Sequence, residues 1–140
     1  MIIREGSHQD IASMYDLLHQ VWTIEAMPYD IKLHHFNRCL SNNSTFYIAE
    51  ENNKTIGMLM LHIQYKLIKN GGSAAFIEEV VVDKNNRGKG VGKKLVEYAC
   101  NIAKSLDCYK VSLSCFKNRV AFYERCGFDN ESHSMRLNIE

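Results

Sequence analysis

The amino-acid sequence predicts an α+β fold in which one mixed sheet combines an antiparallel meander with a strand–helix–strand unit. Three observations predict it. The chain has 140 residues, 46% of them hydrophobic, which is typical of one globular domain with a sizeable core. In its first half, strand-like runs are separated by polar, turn-rich segments. In its second half, a Val-rich run, a long amphipathic segment and another strand-like run follow one another.

The first elements are a strand and two helices. Residues 1–4 form a short strand, and Ser7 can cap the helix that follows it. The apolar residues of this helix recur at helical spacing, at Ile11, Met14, Leu17, Leu18 and Val21. A second helix opens at Pro28 and ends before the polar stretch 41–44.

Three strands come next. Residues 45–50 and 55–65 form an antiparallel hairpin around a turn-rich tetrad. After the glycine-rich loop 70–73, residues 75–83 read AFIEEVVVD. The Val-rich second half of this run suits a strand that is covered on both faces, so we expect it at the centre of the sheet.

The last third of the chain alternates helices and strands. Residues 88–106 form an amphipathic helix, and residues 109–115 form a strand directly after it. The apolar face of the helix consists of Val91, Leu95, Ala99, Ile102 and Leu106. Asn118 can cap a short helix that ends at Gly127. Apolar residues alternate along 135–139, which predicts a final strand.

Charge and cysteine usage exclude several classes of function. Seventeen basic and sixteen acidic side chains give a net charge of +1, so no global field favours a nucleic acid or an anionic membrane as partner. The five cysteines are odd in number and lack a close C-x-x-C pair, which argues against a disulfide framework and a structural zinc site. No signal-like segment and no run of about 18 apolar residues occurs. We therefore expect a soluble, cytoplasmic protein.

The most informative segment is DKNNRGKGVGKKL, residues 83–95, which joins the Val-rich strand to the long helix. Its glycines let backbone N–H groups approach an anion closely, and the start of the helix adds about half a positive charge. The segment therefore predicts a site for a pyrophosphate. A solvated basic loop with a glycine at the helix start is the alternative interpretation.

Two common nucleotide motifs do not fit this turn. A Walker A loop needs Ser or Thr after its lysine, whereas Lys93 is followed by Lys94. Gly88, Gly90 and Gly92 are spaced G-x-G-x-G, which is not the dinucleotide fingerprint. A ligand with a pyrophosphate but no obligatory metal fits better.

Arg87, Gly90 and Gly92 match the R/Q-x-x-G-x-G/A signature of the GNAT acetyltransferase superfamily, and the chain resembles that superfamily in this segment. In that family, backbone amides of this turn hold the pyrophosphate of coenzyme A. Three flanking segments extend the resemblance to the glucosamine 6-phosphate N-acetyltransferase branch: FIEEVVVD (76–83), CYKVSLSC (108–115) and VAFYERCGF (120–128). The similarity runs from about Tyr65 to the end of the chain.

The resemblance implies one acetyltransferase domain over residues 1–140, with helices on both faces of its sheet, that acts as a homodimer and needs no metal. It implies that a primary amine of a small molecule attacks the thioester of acetyl-coenzyme A directly, with glucosamine 6-phosphate as the favoured acceptor. Another amine, on an aminoglycoside, a polyamine or a peptide N-terminus, is the alternative substrate. A coenzyme A-binding sensor without turnover is the alternative class.

The cofactor site follows from the same resemblance. The Val-rich strand is expected to separate from its neighbour to admit the pantetheine arm, and a backbone amide within 80–82 to polarise the thioester carbonyl. The predicted cofactor-binding residues are Val80, Val81, Val82, Arg87, Gly88, Lys89, Gly90, Val91, Gly92, Lys93, Asn118 and Tyr123.

Tyr123, Glu79 and Glu78 are the candidate catalytic residues. Tyr123 matches the family's tyrosine beside the thioester sulfur, which assists the departing thiolate; core packing is its alternative role. A carboxylate, directly or through a water, can take the proton of the attacking amine, and Glu78 and Glu79 are adjacent although side chains on a regular strand alternate faces. Both acids are also expected to contact the acceptor, together with Lys66 and Arg119 as candidate phosphate contacts.

Overall fold

Five strands form one sheet, in the order β1-β2-β3-β4-β5, in the computed structural model, which describes residues 1–139. The strands are β1 (Ile2–Glu5), β2 (Ser44–Glu51), β3 (Lys54–Tyr65), β4 (Ser73–Val82) and β5 (Cys108–Ser112). The first four pair antiparallel, and β5 pairs with β4 in parallel. The predicted mixed sheet is confirmed. The Val-rich strand β4 is not central, however, because β3 occupies the middle position.

Helices cover both faces of the sheet. They are α1 (Ile11–Leu18), α2 (Tyr29–Ser41), α3 (Ile68–Gly71), α4 (Val91–Ser105) and α5 (Val120–Arg125). Short 3₁₀ turns span His8–Asp10, Lys84–Asn86 and Lys117–Arg119. Over the described range 1–139, no helix combines the length and the apolar character that a membrane crossing requires.

Two apolar clusters hold these layers together. On one face, the amphipathic side of α4 packs on the sheet with Leu59, Leu61, Ala75, Ile77, Leu95, Val96 and Ala99. On the other face, α1 and α2 pack on it with Ile11, Met14, Leu17, Phe36, Phe46, Ile48 and Met58. Burial of such side chains is worth about 1.5–3 kcal/mol each for the larger aliphatic and aromatic ones, so the two clusters fix the helices on the sheet.

The cap predicted at Ser7 forms on the 3₁₀ turn His8–Asp10, which leads directly into α1. The Ser7 hydroxyl accepts a hydrogen bond from the backbone N–H of Gln9, and the Asp10 carboxylate accepts one from the backbone N–H of Ser7. Arg4 of β1 also donates to Asp10, at 2.8 Å, and to Glu50 of β2, at 3.0 Å. These bonds lower the pKa of Asp10, the Arg4 hydrogen bond most of all. The cap thus ties α1 to the first two strands.

Three predicted helix positions lie outside the helices. Val21 is exposed because α1 ends at Leu18, and Leu106 is 52% exposed because α4 ends one residue earlier. Asn118 does not cap α5. It lies inside a 3₁₀ turn that already begins at Lys117, and Arg119 occupies the cap position.

The final strand predicted for residues 135–139 is wrong for the single chain, since residues 128–139 form neither helix nor strand. Met135, Leu137 and Ile139 are 93%, 84% and 87% exposed. Their alternation provides one apolar face, but a strand also needs a neighbouring strand to satisfy its backbone groups. No strand of the described chain pairs with this tail.

Candidate active site

The pairing of β4 with β5 ends at Phe76, and the unpaired edge of β4 beyond it is called the cleft. The two strands pair from Ser73 opposite Cys108 to Phe76 opposite Ser112. Beyond Phe76, no strand among residues 1–139 continues along this edge of β4. Residues 77–82 therefore present backbone N–H and C=O groups to the cleft, and such groups can bind an extended ligand as a further strand would.

The first turn of α4 closes one end of this cleft. A Cβ added to Gly92 would lie 3.5 Å from Cγ2 of Val82, at the end of β4, and 3.3 Å from Cζ of Phe122, on α5. Gly92 therefore lies where β4, α4 and α5 converge. The structure thus brings the glycine-rich turn, the Val-rich strand and the helix that carries Tyr123 to one place.

The glycine-rich turn itself is exposed and shaped by two glycines. Gly88 has φ +78° and Gly90 has φ +82°, a left-handed conformation that side-chain-bearing residues rarely adopt. Apart from each glycine and its chain neighbours, no atom of residues 1–139 lies within 4 Å of either Cβ position. Gly90 is the N-cap of α4, so the first N–H groups of a 15-residue helix point toward this open space. A diphosphate fits such a turn because backbone donors and the helix dipole both favour an anion there.

The basic residues of the turn differ in their contacts. Arg87 donates from Nε to the backbone carbonyl of Val82, at 3.1 Å, which fixes its side chain against the end of β4. Lys93 lies 3.9 Å from Glu97, in an exposed pair one helical turn apart. Lys89 is exposed at the tip of the turn. Because exposed pairs of this kind are weak, Lys93 can exchange Glu97 for a ligand phosphate at low cost.

A β-bulge interrupts β4 at the acidic pair. Glu79 and Val80 together oppose the single residue Leu59 of β3. Glu79 has φ +52°, which is uncommon for a residue with a side chain and concentrates at functional sites. The bulge changes the alternation of side chains along the strand, so the two adjacent acids need not face opposite sides of the sheet.

Glu79 acts on titratable groups of two helices. Burial raises the pKa of Tyr15, on α1, and that of Cys39, on α2, and the negative charge of Glu79 raises both further. The charge of Glu79 therefore reaches residues of α1 and α2, and its exposed neighbour Glu78 lies on the face that these helices cover, because its partner Met60 packs in that cluster. Burial, followed by the charge of Glu78, raises the pKa of Glu79. A half-buried carboxylate with a raised pKa is suited to accept a proton near neutral pH.

Tyr123 lies in an aromatic cluster on α5. Its ring stacks on Phe122, with centroids 4.9 Å apart, and meets Phe128 edge-on at 6.0 Å. Burial raises the pKa of Tyr123, the nearby thiol of Cys115 raises it further, and Arg119 lowers it. The hydroxyl is therefore protonated at neutral pH and can donate a hydrogen bond, while the ring contributes to packing.

The predicted phosphate contacts lie on different elements. Lys66 extends its Nζ over the ring of Phe76, 5.8 Å from the ring centroid. Phe76 lies on β4, two residues before Glu78. Arg119 lies instead beside Tyr123, next to the exposed Asn118. Lys66, which follows β3, therefore lies beside the strand of the acidic pair, whereas the contacts of Arg119 are with α5.

Sequence reasoning missed four residues near these groups. Tyr15 and Cys39 lie within reach of the charge of Glu79, which raises the pKa of both. Gln20 donates a hydrogen bond to the buried Asp83 beside the glycine-rich turn. Asp83 could have been found from the sequence, because an aspartate side chain often accepts a hydrogen bond from the backbone N–H two residues later and so caps a turn. The others could not, since their partners are distant in sequence.

Comparison with known proteins agrees with this geometry. Residues 11–128 match the acetyltransferase (GNAT) family. Curated relatives include a glucosamine 6-phosphate N-acetyltransferase of Arabidopsis thaliana, 48% identical over 73 residues, which are 52% of this chain and 49% of that protein. Glucosamine 6-phosphate N-acetyltransferase 1 of Dictyostelium discoideum is 32% identical over 106 residues, 73% of this chain and 68% of that protein. The chain thus spans about half the length of the Arabidopsis relative.

Solved structures align over almost the whole chain. An acetyltransferase of Trypanosoma brucei superposes with a TM-score of 0.93 at 28% identity, over 99% of each chain. The glucosamine-6-phosphate N-acetyltransferase of Arabidopsis thaliana superposes with a TM-score of 0.92 at 32% identity, over 99% of this chain and 98% of that one. With the family match covering residues 11–128 and this agreement in fold, the chain belongs to the acetyltransferase (GNAT) family.

Proposed function

We propose that this protein is an acetyl-coenzyme A-dependent N-acetyltransferase whose favoured acceptor is the primary amine of glucosamine 6-phosphate. The observation that carries the proposal is the cleft between β4 and β5. It begins at an exposed glycine-rich turn at a helix N-terminus and follows an unpaired strand edge, on a strand whose bulge carries a half-buried carboxylate. The proposed proton acceptor, the proposed edge for an extended arm and the proposed diphosphate site thus follow one another along residues 79–93.

The shape of the turn supports a coenzyme A diphosphate at residues 87–93. Both left-handed glycines leave open space where a side chain would stand, so phosphate oxygens can approach the backbone N–H groups. The edge formed by residues 80–82 offers N–H groups along which a pantetheine arm can lie. Acetyl-coenzyme A, when bound, supplies the acetyl group as a thioester. An N–H group of this edge then donates a hydrogen bond to the thioester carbonyl oxygen.

Glu79 is the proposed proton acceptor for the attacking amine. An amine with the pKa of a lysine, about 10.4, costs roughly 4 kcal/mol to neutralise at about pH 7.4, whereas an amine with a pKa near 8 costs under about 1 kcal/mol. An amino sugar is closer to the second case. A carboxylate whose pKa is raised by burial can therefore complete the deprotonation, directly or through a water.

Three facts support glucosamine 6-phosphate as the acceptor. Relatives at 32–48% identity are named for that activity, as is a solved structure of the same fold. Lys66 lies over Phe76, on the strand of the acidic pair, where a sugar phosphate could reach it. The candidate site also combines a carboxylate pair for the amine with a cation for the phosphate. An acetyltransferase for another amine is the second candidate, since Ser114 stands where the resembling branch often has an acid.

A titration followed by an acceptor panel tests the proposal. Acetyl-coenzyme A should bind saturably in calorimetry, and release of free thiol should depend on an amine. Glucosamine 6-phosphate should show a far higher kcat/KM than glucosamine, because a paired phosphate adds charge-assisted hydrogen bonds. An aminoglycoside, a polyamine and a peptide complete the panel. Equal kcat/KM values for the two sugars would remove the phosphosugar and keep the enzyme class, whereas binding without turnover on any amine would favour a sensor.

The assembly proposed with this activity is a homodimer in the cytoplasm. All five cysteines are unpaired thiols, which suits a reducing compartment. The dimer is supported by two complementary features: β5 is an edge strand, and the tail 128–139 alternates exposed apolar residues without a strand partner. Pairing of the tail with the sheet of a second copy would satisfy its backbone groups and bury its apolar face.

A further inference from the structure

Gln20 connects two segments that are far apart in sequence. Its side-chain amide donates from Nε2 to Oδ1 of Asp83, at 2.8 Å, and its Oε1 accepts from the backbone N–H of Lys84, at 2.9 Å. Gln20 lies just after α1, and Asp83 and Lys84 lie at the start of the glycine-rich turn. One carboxamide therefore uses its donor and its acceptor on adjacent residues of that turn.

The contact matters for the stability of the turn because Asp83 is only 5% exposed. Its carboxylate also accepts from the side chain of Asn86, at 2.9 Å, and from the backbone N–H of Asn85, at 3.2 Å. The hydrogen bond from Gln20 is the main cause that lowers the pKa of Asp83. A buried carboxylate that loses a donor is costly, so the conformation of the turn depends on Gln20.

The helix α1, which ends two residues before Gln20, also packs against β4, the strand that carries the acidic pair. Tyr15 of α1 lies close enough to Glu79 for the carboxylate charge to raise the pKa of its hydroxyl. One end of α1 is thus fixed to the glycine-rich turn through Gln20, and its middle lines the surroundings of Glu79. A change in the turn would be transmitted to the acceptor side of β4 by movement of α1.

We propose that Gln20 is a positioning residue that couples occupancy of the glycine-rich turn to the placement of α1 and of the α1–α2 segment, residues 19–28. The inference rests on the proposed function for what occupies the turn, namely the diphosphate of acetyl-coenzyme A. Gln20 touches no reacting atom. It holds the turn in the conformation that accepts the diphosphate, and the bound diphosphate in turn holds α1 beside Glu79.

Charged groups around the contact are few. Asp83 faces Gln20 from the cap position of the 3₁₀ turn after β4, and Lys54 contributes a positive charge that lowers the pKa of Asp83. Asp16 of α1 lines the same open cavity of about 360 Å³. A change of Gln20 to glutamate would therefore place a carboxylate against Asp83, with Asp16 adding to the repulsion and Lys54 reducing it.

Hydrogen exchange tests the contact without any ligand. Gln20→Met keeps the length of the side chain and removes both hydrogen bonds. Gln64→Met is the matched control, because it makes the same change at an exposed position of β3. Amide exchange in 84–87 and in 19–22 should accelerate about 5- to 30-fold in Gln20→Met and stay unchanged in Gln64→Met. Unchanged exchange in these two segments of Gln20→Met would overturn the proposal.

Acetyl-coenzyme A then tests the coupling. Its binding to the wild-type protein should slow exchange across 19–28, and Gln20→Met should lose this protection while keeping some protection at 88–93. Affinity should weaken about 5- to 30-fold in Gln20→Met. Protection of 19–28 that survives in the variant would contradict the coupling. A wild-type protein that binds no acetyl-coenzyme A would instead refute the proposed function, and the ligand-free exchange would still decide the role of Gln20.

Gln20→Glu adds a readout that a loss of packing would not change. Near pH 8 the new carboxylate faces the carboxylate of Asp83, and their repulsion should weaken acetyl-coenzyme A binding. Near pH 5.5 the two carboxylates should share a proton, which can be donated as the amide N–H was. The ratio of variant to wild-type affinity should therefore recover on acidification, and taking the ratio cancels titration of the ligand phosphate. A ratio independent of pH would contradict the hydrogen-bond role.

Discussion

At the scale of single residues, the hydroxyl of Tyr123 is the group whose chemistry the structure constrains most. Reference pKa values are about 10 for tyrosine and about 8.5 for a thiol, so complete proton transfer to a thiolate costs about 2 kcal/mol in water. Burial raises the pKa of Tyr123 and increases this cost. A hydrogen bond to the developing thiolate is therefore the better description of its proposed role than complete acid catalysis.

Replacement of Tyr123 by phenylalanine keeps the stacked ring and removes the hydroxyl. We expect Tyr123→Phe to fold and to bind acetyl-coenzyme A with nearly wild-type affinity. The chemical step should slow by about 10- to 10³-fold, the range for one lost acid or charge-stabilising donor. Because the interaction grows as charge develops, both kcat and kcat/KM should fall if chemistry limits turnover. Wild-type single-turnover rates in the folded variant would show that the ring only packs.

Glu79→Gln should separate activity from stability. The isosteric amide cannot accept the amine proton, so turnover should fall by about 10²- to 10⁴-fold. The pKa of Glu79 is raised in the folded state, so its contribution to stability is present below its unfolded pKa and is lost as pH rises through the folded pKa. The variant should therefore melt above wild type near pH 8, and the difference should shrink toward about pH 4.

Glu78→Gln is the comparison for this prediction. Glu78 is exposed, so loss of its charge should change stability less, and it should change turnover less if Glu79 is the base. Melting curves across pH and steady-state rates for both variants decide the assignment. A larger rate loss in Glu78→Gln would transfer the role of base to Glu78.

At the scale of elements, the turn before α4 is the proposed binding site of the diphosphate. Gly90→Asp adds bulk and a negative charge at the helix start, on a left-handed residue, and should abolish acetyl-coenzyme A binding. Gly90→Asn has the same shape without the charge and tolerates left-handed backbone better than most residues. Calorimetry should therefore show weakened but measurable binding for Asn and none for Asp. Wild-type affinity in a folded Gly90→Asp protein would contradict a phosphate at this turn.

The contact between β3 and α4 has no room for a side chain at Gly57. A Cβ there would lie 2.9 Å from Cδ1 of Leu95 and 3.0 Å from Cγ1 of Val91, both in the buried core. Gly57→Ala should therefore destabilise the fold by about 1–3 kcal/mol through overpacking. Gly6→Ala is the control, since its Cβ would meet its nearest atom at 3.4 Å. Thermal melts that are equal for the two variants would show that α4 can shift to accept the methyl group.

At the scale of the whole molecule, the exposed tail predicts the assembly. If the tail pairs with a second copy, light scattering should give twice the chain mass of 16.1 kDa. Leu137→Asp places a charge on the apolar side of the tail and should release monomers, whereas Asn138→Asp adds the same acid on the other side and should not. A wild-type protein that is monomeric at all concentrations would remove the dimer.

Some features were predictable because they depend only on residues close together in the sequence. The helix periodicity of α4, the turn-rich tetrad between β2 and β3, and the left-handed glycines before α4 each arise from local backbone preferences or from spacing along one element. The sequence therefore determined the mixed sheet, the glycine-rich turn and the family resemblance that the comparison bears out.

The remaining features depend on which distant segments meet. The bulge at Glu79 exists only in the register of β4 against β3, and the contact of Gln20 with Asp83 joins residues 63 positions apart. The alternating tail shows the converse, because a correct local pattern forms no strand without a neighbour. Side-chain burial and strand pairing are set by long-range packing, so only the tertiary structure decided the half-burial of Glu79, the contacts of Gln20 and the exposure of the tail.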